Sequence, residues 1–179
     1  MVATVKVWDP LVRVFHWGLV ASFLVAWISA KQWNSAHEAA GYCAAGLVAF
    51  RLLWGAFGPH YARFAQFVRG PSDVVGYVRD IWQRREARYI GHNPVGAVMI
   101  LVLIAVMAAT AFSGWLFTTD RFWGVGWVME THEFFANGLI ILVVVHVAGV
   151  VLASMRHGEN LVRAMISGRK RRPSSDDIT

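Results

Sequence analysis

The stretch His132 to His146, HEFFANGLIILVVVH, decides how the rest of the chain is read. Between the two histidines only Glu133 is charged, and the apolar run continues from Phe134 to Met155. A run of that length meets the roughly 20 residues a helix needs to cross the hydrocarbon core of a bilayer. Fourteen residues at about 100° each turn roughly 1400°, about 40° short of four full turns, so both imidazoles would share one helix face. Their depths would differ by roughly 21 Å, placing one histidine toward each side of a membrane.

Three further runs have the same character: about 14–30, 39–57 and 94–117, alongside 134–155. The whole chain of 179 residues is 56% hydrophobic and only 16% charged. Average soluble domains carry about 25% charge, so little is left to wet the surface of a soluble four-helix protein. A signal peptide is the other reading of the first run, with Arg13 before it and Ile28-Ser29-Ala30 at its end. Against it, His16 and Trp17 interrupt the apolar region. The composition also sets aside disorder and collagen-like repeats. Cys43, the single cysteine, can form no internal disulfide, no Cys-Cys metal knuckle and no Cys-x-x-Cys-His attachment of a c-type haem.

Charge then orients the spans. Of the 17 Lys and Arg, 14 lie in three places: Lys6 and Arg13 at the start, six arginines between Arg63 and Arg88, and six basic residues between Arg156 and Arg172. With four spans these three places share one side, which the positive-inside rule makes the cytoplasm, so both termini lie there. Basic clusters that flank spans answer to topology and anionic headgroups rather than to nucleic acid. Trp123 and Trp127 in the third connection read as an aromatic belt. Gly70-Pro71-Ser72-Asp73 reads as a turn and N-cap opening a short helix that runs to Arg88, with Val74, Val75, Val78, Ile81 and Trp82 on one face. Such a helix would lie in the membrane interface. The expectation is an all-α, integral membrane four-helix bundle, up-down-up-down, with this amphipathic helix between spans two and three. It forms one membrane domain over residues 1–172, followed by a polar, mobile cytoplasmic tail over 173–179.

Four of the seven histidines sit in or at the ends of these spans: His16, His37, His132 and His146. Polar groups are costly inside a bilayer and turn inward to partners or cofactors. The topology sets His16 at the depth of His146 and His37 at the depth of His132. Two imidazoles are too few for zinc, whereas a haem iron already has four porphyrin nitrogens and needs only axial ligands. Hydrogen-bonded helix contacts are the competing reading for any one of these histidines taken alone. Gly18, Gly41, Gly46, Gly114, Gly138 and Gly149 could admit a flat macrocycle, though glycine is also common in transmembrane packing. Arg13 and Arg51 suit either haem propionates or snorkelling to the interface. His92, before Pro94, suits a cap, a propionate or quinone contact, or a ligand. His157 suits a solvated position or a quinone contact, and His60 reads as a surface residue. Glu38 and Glu133 point about 100° away from the adjacent histidines, toward the outer water. No Ser-His-Asp set or phosphate-binding glycine loop is evident.

Several short motifs carry a resemblance. His37-Glu38-Ala39-Ala40-Gly41-Tyr42, Arg51-Leu52-Leu53-Trp54, Tyr61-Ala62-Arg63-Phe64, Gly91-His92-Asn93-Pro94 and His157-Gly158-Glu159-Asn160-Leu161 resemble the bacterial cytochrome b561 family, which includes the b-type subunits of nickel-iron hydrogenases. The likeness runs from about Val7 to Arg171. It implies a multi-pass protein of the bacterial inner membrane with two b haems, held by His16, His37, His132 and His146, exchanging electrons with quinone. It also implies a periplasmic redox partner such as a hydrogenase or a c-type cytochrome. A stand-alone quinone-linked oxidoreductase, for example one oxidising superoxide, and an ion- or metal-handling bundle stay open beside the electron carrier.

Overall fold

The computed structural model describes residues 4–32, 34–175 and 177–178. The first three residues of the expected membrane domain, Trp33, and Asp176 and Thr179 of the expected tail lie outside the described residues.

Four helices are long and apolar enough to cross a membrane: α1 (Pro10–Ser29), α2 (Asn34–Phe57), α5 (Pro94–Phe117) and α6 (Gly126–Arg156). Between α2 and α5 lie a 3-10 turn (His60–Ala62), α3 (Phe64–Phe67) and α4 (Pro71–Trp82), and α7 (Leu161–Ser167) follows α6. The only strands among the described residues are β1 (Thr4–Lys6) and β2 (Arg169–Arg171). Helix starts follow local chemistry. Asp9 Oδ1 accepts from the amides of Leu11 and Val12 at 2.9 and 3.2 Å, and Pro10, with its φ preset, opens α1. Asn93 Oδ1 likewise accepts from Gly96 at 2.7 Å, one residue before Pro94.

The spans begin earlier than hydropathy alone suggests, at Pro10, Asn34 and Gly126 in place of 14, 39 and 134. Capping chemistry and polar first turns extend a helix beyond its apolar stretch. In α6 only 6% of the most apolar stretch is buried inside the protein, with Phe134, Ile141 and Val144 exposed. Apolar surface on that scale belongs in lipid, and a helix satisfies its backbone there. Several hydroxyls within the spans bond back to the preceding turn and so carry no unmet donor into the bilayer: Thr110 Oγ1 donates to the Val106 carbonyl at 2.8 Å, and Ser154 Oγ to the Val150 carbonyl at 2.7 Å.

The chain divides into two compact units. One comprises residues 14–53 and 102–143, made of long-helix segments with Val48, Ile104, Met107, Val128 and Leu139 buried.

The other comprises residues 1–13, 54–101 and 144–179. There β1 and β2 pair antiparallel with Val5 opposite Lys170, above a buried cluster of Val7, Trp8, Ile90 and Ala164. Gly168 closes α7 at φ +77°, where a side chain would stand 2.7 Å from the Trp8 carbonyl. Arg88 is buried; its Nη2 donates to Glu159 at 2.9 Å and its Nη1 to Asp177. The residues expected to form a mobile tail make specific contacts here: Ile178 donates to the Arg88 carbonyl and accepts from Ile90, each at 2.9 Å. An ion pair and two backbone hydrogen bonds join this segment to the rest of the unit. α4 ends at Trp82 rather than Arg88, because Arg84 takes a left-handed φ of +57°. Its apolar residues also divide between two faces: Tyr77 is buried and Val74 and Ile81 half-buried, while Val75, Val78 and Trp82 are exposed.

Candidate functional site

His37 lies near the start of α2 and His132 in the second turn of α6. Within their unit the two rings stand 5.9 Å apart, centroid to centroid, at 80° to one another. Each is anchored through the same ring nitrogen, Nδ1. His37 Nδ1 is 2.8 Å from the Ala26 carbonyl of α1, and His132 Nδ1 is 2.9 Å from the Thr110 carbonyl of α5. A carbonyl only accepts, so Nδ1 is the protonated nitrogen in both rings and Nε2 keeps its lone pair for a metal. Ser113 Oγ lies a further 3.3 Å from His132 Nδ1.

This donor set fits a haem iron. Two imidazoles on opposite sides of one metal, with metal–nitrogen bonds of about 2 Å, have centroids about 6 Å apart. Backbone carbonyls behind both rings are the usual device for setting ligand orientation. One turn beyond His37, on the same helix face, Gly41 is half-buried, and a Cβ there would meet nothing within 4 Å. Among the described residues no group of three or more His, Cys, Asp or Glu could hold a metal ion, so the site offers two imidazoles rather than a zinc-type cage.

The remaining expected residues are distributed as follows. His16 of α1 is half-buried, with its ring 5.0 Å from that of Trp17. His146, also half-buried, is carried by α6. Arg51 is 3% exposed, its guanidinium carbon 6.0 Å from the Phe15 ring centroid. Arg13 donates to the Ile166 carbonyl, a backbone contact that neither reading of its sequence position included. His92 sits between Trp8 and Phe67, with both ring separations 4.6 Å. His157 is half-buried just past α6, and burial holds its imidazole below the usual range. Glu38 and Glu133 are exposed, as is His60.

Sequence reasoning missed the groups that anchor the rings. The Ala26 and Thr110 carbonyls have no side-chain signature. Ser113, a buried hydroxyl inside a span, was the one available signal. Gly114, grouped with glycines that could admit a macrocycle, instead lies against the His132 ring. Arg88 and Lys170, counted among topology charges, are each 6% exposed.

Four long apolar helices define a multi-pass membrane protein, and within it two imidazoles stand together, each held by a backbone carbonyl. The chain belongs to the prokaryotic cytochrome b561 family, whose model matches residues 7–168. Membership implies haem b. The chain is also similar to a probable Ni/Fe-hydrogenase B-type cytochrome subunit of Azotobacter vinelandii, 27% identical over 165 residues that cover 74% of this chain and 66% of that protein. It thus spans slightly less than two thirds of that relative's length. No solved structure matches the chain significantly.

Proposed function

We propose that this protein is a dihaem b-type cytochrome of the bacterial inner membrane that carries electrons between a periplasmic redox protein and the quinone pool. The observation carrying the proposal is the His37–His132 pair with both Nδ1 atoms on backbone carbonyls. Bound haem supplies reversible one-electron iron chemistry. The chain holds the rings in the tautomer that ligates and surrounds them with apolar helix. His37 and His132 take the outer haem. His16 and His146 take the second, a pairing that rests on their depth in the sequence.

The spans run up-down-up-down with both termini in the cytoplasm. In support, the N-terminal, second-connection and C-terminal basic segments meet in one unit, through β1 with β2 and through Arg88 with Asp177. The exposed Val75, Val78 and Trp82 stripe of α4 rests in the interface, with Arg79 and Arg85 at the headgroups. Quinone approaches the basic end near His92 and His157. The redox partner, a hydrogenase or a c-type cytochrome, docks at the outer face near the exposed Trp123 and Trp127.

A reduced-minus-oxidised visible spectrum with pyridine haemochrome stoichiometry tests this reading. Two b haems per chain, reoxidised rapidly by a quinone analogue in nanodiscs, are expected. Absence of haem would favour an ion-handling bundle. Slow quinone but fast superoxide reaction would favour a stand-alone oxidoreductase.

A further inference from the structure

We propose that Ser113 and Gly114 of α5 are positioning residues that set the plane and electron-donating strength of the His132 imidazole, and so tune one redox centre separately from the other. The inference rests on the reading of His132 as an axial ligand.

Thr110, Ser113 and Gly114 are spaced i, i+3, i+4 and therefore share one face of α5. All three meet the same ring. The Thr110 carbonyl accepts from Nδ1 at 2.9 Å. Ser113, 4% exposed, donates its hydroxyl hydrogen to the Ala109 and Thr110 carbonyls at 2.8 and 3.0 Å. Its oxygen can therefore meet the Nδ1–H only as an acceptor, at 3.3 Å. At Gly114 a Cβ would stand 3.0 Å from His132 Cε1 and 3.2 Å from Nδ1. The ring is not a loose side-chain end that swings clear, because turning it breaks the bond to Thr110. Glycine is thus the residue that lets the imidazole approach α5 this closely.

The chemical consequence follows from the direction of these bonds. Acceptors behind Nδ1–H draw the ring toward imidazolate character and strengthen it as a donor to iron. A stronger donor favours the oxidised metal, so the Ser113 oxygen holds the potential of that haem down. The protein then has a control on the His132 haem that leaves the other centre untouched.

Redox titration and low-temperature electron paramagnetic resonance on the purified full chain would test this with Ser113→Ala, Gly114→Ala and His132→Ala. Expected for Ser113→Ala are full haem content, one midpoint potential moved upward and the other unchanged. Expected for Gly114→Ala is a changed low-spin signal for one haem, or loss of that haem alone. Should Gly114→Ala fail to fold, Ser113→Ala decides, since it adds no volume. Wild-type potentials in Ser113→Ala, with His132→Ala lacking one haem, would overturn the inference and leave the ligand reading standing. Retention of both haems in His132→Ala would overturn both.

Discussion

The imidazoles of His37 and His132, 95 positions apart in the chain, face one another at 5.9 Å with their planes at 80°. Neither ring is adaptable, since each Nδ1 is committed to a carbonyl of a different helix. Four helices therefore meet at this pair: two bring the imidazoles and two bring the carbonyls that orient them.

If the pair holds one of two haems, His37→Ala should halve the haem-to-protein ratio and leave the second haem's spectrum in place. Pyridine haemochrome assay of the purified variant measures this directly. A ratio unchanged from wild type would remove His37 from the ligand set.

Topology gives an independent expectation. Reporter fusions placed after Arg172 and within 118–130 should report opposite sides of the membrane, the first cytoplasmic. Two fusions reporting the same side would mean that the span count is wrong.

Arg88 satisfies two carboxylates, Glu159 and Asp177, whose side chains are only 8% and 6% exposed. Arg88→Ala leaves both charges buried without their guanidinium and should cost about 3–5 kcal/mol. Thermal unfolding in detergent reads the loss. Limited proteolysis at the C-terminus reads the release of the tail that Asp177 and Ile178 secure.

Lys170 predicts a pH dependence. Desolvation by burial pushes its pKa down to about 8, against the attraction of Glu159 and with the repulsion of Arg88. Its ammonium donates to the Ile90 carbonyl at 3.0 Å and lies 5.7 Å from the Trp8 ring. Between pH 8 and the unfolded value near 10.4 the unfolded chain binds more protons than the folded one, so stability rises with pH. Fully relieved, the penalty is on the order of 3 kcal/mol. Melting temperatures from pH 7.5 to 9.5 should climb in the wild type and stay nearly level in Lys170→Met. A slope of the same size in the variant would point to another group.

Trp82 is 90% exposed and should enter lipid if α4 lies on the membrane. With eight other tryptophans replaced by phenylalanine, brominated acyl chains in nanodiscs should quench its fluorescence more strongly than aqueous iodide does. The reverse order would place the stripe in water.

How much of this was legible beforehand depends on the range of the interaction. Four spans could be read because transfer into lipid is a property of each apolar run taken alone. The expectation that His132 and His146 share a face rests on the pitch of one helix alone. The division of the α4 apolar residues could not be read. Two apolar faces, one against protein and one outward, have the same periodic signature as one broad face.

The sequence by itself determined the helices, the candidate ligands and the family, since these follow from local composition, periodicity and motif. Tertiary structure alone decided which carbonyl holds each imidazole, that Gly114 must be small, and that the C-terminal residues attach to Arg88 and Ile90. Those contacts join residues far apart in the chain. They depend on the depth and rotation at which neighbouring helices pack, and a shift of one residue in either changes the partner while leaving hydropathy the same.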